Sequence, residues 1–589
     1  MRLGKLLSVL AAFVLFVAPS LARAQDYDND LALRAFEVIK KHCYNCHGAN
    51  LEVPGLNVLD RESLTKKIPN ELSYLVPNDL DNSRLWLRMG VDGDMPPKKV
   101  KDRPTAEEIE TVKAWILDGG RFPQDSSREY LTVEDTLERI SRHLRKTPRE
   151  ARKHQRYFTL TNIHNNPAYN KNDLRLYRAA FVKLVNSLSR NARIVQPTLI
   201  DAVEGDPDSG TIFNLDLTEV GWELDTWREV IKEYPYGLRW NDASRQDLSD
   251  EIIELQDELL GDGIPSIRVD WFVANASRPP AYHQLLGLPE TLGELETKLG
   301  VDLKRDFKLD RLQRAAFAGS AVSKNNRLID RHEGQIARYF YLSYDFGKSF
   351  GRGVLFRFPL GPKFEGNSFS EQAFEHDGNE IIWSLPNGMQ AYMITNSEGK
   401  RIDAAPIEIV RDLSEISGTP QVVNGISCLG CHKHGTQPYQ DAMGVGYGTT
   451  GDARQKIARL YAKPSEMSKL VESDKQEFLR TLQRVAGPYL QIGDDADKKL
   501  GDFPEMISTV ARWYDKDVGP NEVALELGFR SADSLAIRGN LKLQELGMGP
   551  LADGHAIPRR MWHSRDEPPQ SVFQRAAAAL GEASGINPE

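Results

Sequence analysis

The chain has 589 residues, of which 40% are hydrophobic and 27% charged. That is the composition of a folded globular protein long enough for three or four domains, at roughly 150 residues each. Its formal charge of −9 at pH 7 argues against a nucleic-acid binder, whose affinity comes from Lys and Arg contacts to phosphate.

The first residues read as an export leader. Arg2 and Lys5 precede an apolar run from Leu6 to Val17, and Ala22-Arg23-Ala24 supplies a small-x-small cleavage site. The expectation is a signal peptide over 1–24 and a mature chain in the periplasm or outside the cell. No later stretch approaches eighteen apolar residues, so no membrane span is expected in the mature chain.

Next comes "DLALRAFEVIKKHC", which places Leu31, Phe36 and Ile39 at helical spacing. It runs into "HCYNCHGAN" (42–50), and "SCLGCHKHG" (427–435) follows almost four hundred residues later; together they use all four cysteines. In an oxidising compartment, four cysteines suggest disulfides, and Cys-x-x-Cys also serves zinc sites and redox pairs. None of these requires a histidine directly after the second cysteine. Covalent haem does: two sulfurs three residues apart bond the porphyrin vinyl groups, and the adjacent imidazole binds iron. Two haem c groups are expected, one on Cys43, Cys46 and His47, the other on Cys428, Cys431 and His432. The competing reading is a four-cysteine metal site assembled from the two pairs.

Downstream of the first pair, "RMGVDGDMPPKK" holds Met95 ahead of two prolines that deny the backbone a helix. Its thioether is the expected second axial ligand, with Met89 as competitor. A His/Met iron has a raised potential and no free position, which suits electron transfer. "PTAEEIETVKAWILDGG" then reads as a helix opened by a Thr105–Glu108 capping box and stopped at Gly119. The set "CYNCHG…GLNVLD…VPNDLDNSRLWLRM…DMPPKK…IETVKAWILDGG" resembles the planctomycete-type cytochrome c domain, over about residues 30–123. The resemblance implies an all-α cytochrome fold with His47 and Met95 as the axial pair.

Residues 124–154 read as a polar linker and charged helical connector. From 155 to 450 both periods occur. "NDLRLYRAAFVKLVNSLSR" and "LDTWREVIKEY" read as helices; "GTIFNLDL", "IARYFYLSYDF", "GVLFRFPL", "EIIWSLPNGMQAYMITNSEGKRI" and "PIEIVRD" read as strands, with hairpin turns at Asn387-Gly388 and Glu398-Gly399. An α+β domain with an antiparallel sheet is expected here, carrying the second cysteine pair, followed by a helical region over 451–589. The whole is a multidomain chain.

For the iron held by His432, His376 in "FEHDGNEIIW" is the first choice of second ligand, with Met443 next and His332, His283 and His164 more remote; His434 is too close in sequence to cross the ring. The alternative is an open iron position, with Arg331, His332 and Glu333 as polar groups for catalysis on peroxide or another small oxidised substrate. The leading functional expectation is an exported dihaem cytochrome passing electrons to and from a redox protein or small molecule. The others are a haem-dependent oxidoreductase of the dihaem-peroxidase kind, and a redox sensor or adaptor.

Overall fold

The computed structural model describes residues 29–589 except 45, 48–55, 57, 60, 67–70, 121, 123–127, 240–242, 257–262, 320–321, 324, 347–351, 440, 444–448, 462, 530–531, 566–569, 581–583 and 586–589. The export leader lies outside the described residues. The chain divides into two compact units, one ending at residue 124 and the other starting at 125.

In the first unit the helix Asn29–His42 packs against the helix Ala106–Leu117. Ala35, Ile39, Val112 and Ile116 are fully buried between them, and Phe36 meets Trp115 edge-on with ring centres 5.5 Å apart. The apolar stripe read in each helix is therefore what joins them. The second helix opens with the anticipated capping box: the Thr105 hydroxyl accepts from the Glu108 N–H, and the Glu108 carboxylate accepts from the Thr105 N–H at 2.7 Å. It stops where Gly119 and Gly120 take positive φ values of 96° and 56°, which side chains with a Cβ rarely adopt.

The second unit holds two main sheets. Gln155–Thr159 (β1), Thr198–Leu199 (β2), Ile212–Asp216 (β3), and Ile267–Arg268, which follows the short strand Leu238–Arg239 (β4) and is therefore β5, form a mixed sheet in the order β2-β3-β1-β5. In it β1 is antiparallel to β3 and parallel to β5. Gln313–Ala318 (β6), Asn326–His332 (β7), Phe340–Asp345 (β8), Gly378–Ser384 (β9) and Gln390–Asn396 (β10) make a wholly antiparallel meander. The antiparallel sheet was expected; the mixed sheet was not. Ser584–Gly585 pairs with β4 and ties the last described residues to the middle of the chain.

The helix Lys171–Ser187, capped by Asn170 and Asp173, is buried on every side from Asp173 onward. Around it lie the helices Val269–Ala276, Pro464–Leu490 and Met506–Tyr514. The stretches read as connector, α+β region and helical end thus fold within one unit. Trp271, Phe272 and Tyr282 belong to its core.

Three readings of local structure change. "GVLFRFPL" forms the short helix Arg352–Arg357, not a strand; a brief apolar run carries no period that separates the two. "PIEIVRD" makes turns, with Val410 and Ile409 bonded back to Pro406. Val133–Lys146 is a capped helix that begins inside the expected linker and buries Leu137, Ile140 and Leu144.

Paired residues of an antiparallel sheet share a face. The registers Tyr392↔Ile382, Ile394↔Glu380, Ser343↔Glu380 and Arg327↔Asp345 therefore put Glu380, Ile382, Tyr392, Ile394, Asp345 and Arg327 on one face of the meander. Tyr344, Leu342, Asp330 and Arg314 lie on the other.

Candidate functional site

The first Cys-x-x-Cys-His site is an extension of the first helix. The Cys43 N–H bonds the Ile39 carbonyl at 2.9 Å, and the His47 N–H bonds the Cys43 carbonyl at 2.9 Å. This helical turn brings Cys43 and Cys46, three apart, to one side. The Val58 N–H on the His47 carbonyl, also 2.9 Å, fixes the exit. Neighbouring His42 is occupied elsewhere: its Nδ1 donates to the Asp102 carbonyl and its Nε2 lies 3.2 Å from the Glu108 carboxylate. Cys43 sits in apolar surroundings, and burial pushes its thiol up to about 12.

The loop with Met95 is clamped from two sides. The Asp94 and Met95 N–H groups donate to the Arg88 carbonyl, and the Arg88 side chain holds the Asp94 carboxylate at 2.7 Å. Arg103 reaches back to donate to the carbonyls of Pro96 and Gly93, the latter at 2.9 Å. Met89 takes a different place: it is 4% exposed and packed in the core of this unit, on the π-helical turn Leu87–Val91, whereas Met95 stays half-buried. Reading the sequence did not single out Arg88 or Arg103; the only local signal is an arginine seven residues on either side of Met95 and Pro96.

The second site is built by the helix Ile426–Cys431, which places Cys428 and Cys431 on one face. The helix packs against Met506–Tyr514, so the helical end of the chain, which carried no readable chemistry, supports this site. The His432 imidazole stacks on Tyr392 at 5.6 Å and 26°. Its Nδ1 lies 3.2 Å from the Gly435 carbonyl. A carbonyl only accepts, so Nδ1 carries the proton and Nε2 keeps its lone pair for a metal. Cys428, Cys431 and His432 open onto a cleft lined by Glu380, Ile382, Tyr392 and Ile394 of the meander face. Burial first, and the Glu380 carboxylate second, push the Cys428 thiol up to about 12; Cys431 is raised for the same reasons.

Neutral thiols in a mainly apolar cleft fit thioether attachment of a porphyrin. The cysteines form no disulfide, and no cluster of three or more His, Cys, Asp or Glu side chains suited to a metal ion occurs among the described residues. The cleft beside Cys428, Cys431 and His432 therefore has the donor set and the mainly apolar lining that a covalent haem would take.

At the edge of the second cleft a buried arginine lies between two carboxylates. Arg327 grips Glu380 through both oxygens at 2.6 and 2.7 Å and lies 2.8 Å from Asp345. Burial pushes the Asp345 carboxyl up, while Arg327 outweighs burial at Glu380 and holds that carboxyl down.

The structure does not bring His376 to this cleft. It meets Tyr344 edge-on at 5.7 Å, in a cavity shared with Arg314 and Asp330 on the opposite face of the meander. Burial lowers the pKa of its imidazole. Met443 is fully buried near β6, where the adjacent Ala442 N–H bonds the Ala316 carbonyl. His283 is bonded to Asn424 and His164 to the Glu129 carbonyl.

Arg331, His332 and Glu333 do not form a cluster at the cleft. Arg331 and His332 are successive residues of β7 and face opposite ways. Arg331 bonds Asp474 at 2.9 and 3.1 Å and Glu333 at 3.2 Å, while His332 is fully buried against Asp306 at 3.0 Å. Arg331 and His332 thus belong to the end of strand β7 with their side chains paired in the interior, while Glu333 lies just past the strand with its side chain mostly exposed.

No curated protein and no solved structure matches the chain. Residues 43–99 match the family model of the Planctomycete cytochrome C, so the resemblance read in the N-terminal motifs holds, and the N-terminal region has the sequence of a c-type cytochrome domain, a family that binds haem c covalently.

Proposed function

We propose that the chain is an exported dihaem c-type cytochrome that passes electrons between a His47/Met95 iron in the first unit and an iron on His432 in the second. One observation carries this reading beyond the family match: the second Cys-x-x-Cys-His folds as a helical turn beside a largely apolar cleft, with its imidazole already in the tautomer a metal requires. Bound haem supplies reversible one-electron chemistry through its iron. The chain's own residues do the positioning. Cys43, Cys46, Cys428 and Cys431 fix the rings, the Gly435 carbonyl orients His432, and Arg88 and Arg103 hold the Met95 loop.

The leader over 1–24 supports export to the periplasm or beyond, where a redox protein or small molecule would be the partner. No helix among the described residues is long and apolar enough to cross a membrane.

The test is stoichiometry. The chain, produced in a host that matures c-type cytochromes, should carry the mass of two haems, and Cys428→Ser with Cys431→Ser should carry one. A native mass with a single haem overturns the dihaem reading.

A haem-dependent oxidoreductase with an open second iron is the other reading, favoured by the position of His376 behind the meander. Carbon monoxide separates the two. Binding to the reduced protein at one haem per chain supports the open site, and an unchanged reduced spectrum supports a pure relay.

A further inference from the structure

The charge cluster beside the second cleft does not balance. Arg327 on β7, Asp345 on β8 and Glu380 on β9 share one face of the meander, so one guanidinium serves two carboxylates. Glu380 has both oxygens gripped, at 2.6 and 2.7 Å. Asp345 is held less well: its Oδ2 accepts from the guanidinium at 3.2 Å, while Oδ1, 2.8 Å from Arg327 Nε, makes no hydrogen bond.

A buried charge without a full counter-charge is expensive, and a carboxyl escapes the cost by taking a proton. Asp345 is buried. Burial raises its carboxyl, Arg327 opposes the rise, and Glu380 and Asp377 add to it. These are the charged groups that face it among the described residues: Arg327 from β7, Glu380 from β9 and, just before β9, Asp377, whose N–H donates to the Asp345 carbonyl at 3.1 Å. The excess negative charge therefore falls on Asp345, the less firmly held of the two acids.

The cluster is electrically close to the cysteine pair. Glu380 lines the cleft with Cys428, Cys431 and His432. Its charge is felt at both thiols and at the His432 imidazole, and that of Arg327 at Cys431 and His432. Asp345 stands behind the guanidinium and acts on the cleft through space.

Resting on the dihaem reading above, we propose that Asp345 is the proton site of the second haem: its carboxylate takes one proton from solvent when the iron held by His432 gains an electron from its donor, and returns it when that electron leaves. Reduction removes one positive charge from the cleft and so favours the neutral carboxyl. The one bond made is the O–H of Asp345, and one electron and one proton enter together. A unit change of charge within about 12 Å alters a carboxyl's proton affinity about tenfold at an effective dielectric of about 20. For a one-electron couple, tenfold corresponds to about 59 mV.

Spectroelectrochemistry of the full haem-loaded chain tests this from about pH 5 to about pH 9, the range into which burial carries carboxyls. The second haem is the couple missing from Cys428→Ser with Cys431→Ser. Its midpoint should fall by about 59 mV as the pH rises. In Asp345→Asn, which keeps the shape and loses the proton site, it should be flat and stay near the native acid-side value. If Asp345→Asn does not fold, Asp345→Glu should keep the fall and displace its pH window. Two native couples with a flat second midpoint overturn the proposal and leave the dihaem reading standing. A single native couple, with the mass of one haem, overturns both. A slope unchanged in Asp345→Asn, or a window unmoved in Asp345→Glu, assigns the proton to another group and overturns the proposal.

Discussion

Replacing Arg103 with Gln should loosen the loop that presents Met95. In the native chain Arg103 donates two hydrogen bonds, to the carbonyls of Pro96 and Gly93, which bracket Met95. The arginine is half-buried, so each bond is worth about 1 kcal/mol rather than the larger value of a fully buried charged donor. Losing both shifts the balance between closed and open loop by about 2 kcal/mol, or roughly thirtyfold. Arg88 still anchors the other side through Asp94, so the domain should stay folded. An external ligand such as imidazole can take the iron only when the thioether has left, and its apparent affinity scales with the open fraction. Imidazole titration of the oxidised protein, followed at the thioether-to-iron charge-transfer band, should show about thirtyfold tighter binding in Arg103→Gln. In Met95→Ala the band should be absent and imidazole should bind without competition. An affinity within twofold of native in a folded Arg103→Gln would refute the reasoning, because either Met95 is not the ligand or Arg103 does not hold it.

The Glu108 carboxyl should make the first unit acid-sensitive. The Thr105 backbone N–H, with Lys41 and His42, draws it from 4.5 down to about 2. Its folded pKa is depressed, so the unfolded chain binds the proton first. The stabilisation is full above about pH 4.5 and lost as pH falls through about 2. Denaturant unfolding across that window should show native stability falling while Glu108→Ala stays flatter; parallel curves would contradict the assignment. In the second unit, Lys183→Met strands Glu505 beside the Met506–Tyr514 helix that backs Cys428, breaking a buried pair at 2.6 Å. The loss should be about 3 kcal/mol, the low end for such pairs, because Ile507 and Ser508 N–H groups still serve the carboxylate. A denaturation midpoint unchanged in Lys183→Met would show that the pair contributes nothing. Arg327→Gln, finally, should leave Glu380 a buried carboxylate without its cation. Its effect is read as a midpoint shift of the second haem in spectroelectrochemistry, and an unaltered potential would mean that the pair is not electrically coupled to that site.

What the sequence determined by itself was local. The Cys-x-x-Cys-His spacing, the Thr105–Glu108 box, the Asn387-Gly388 turn and the helical period of Lys171–Ser187 all depend on residues a few positions apart, and their geometry follows from local backbone conformation. The tertiary structure decided which groups those elements face. In β7 every residue from Asn326 to His332 is buried, so alternation could not reveal that Arg327 turns toward Glu380 and the Cys428 cleft while His332 turns away. His376 stands close in sequence to the face that His432 stacks on, yet the strands between them put it on the far side. Thr159 and Arg268 lie far apart in the chain, and only the parallel pairing of β1 with β5 makes them neighbours. Long-range contacts of this kind depend on how distant segments bury apolar surface together, and a single segment does not encode that.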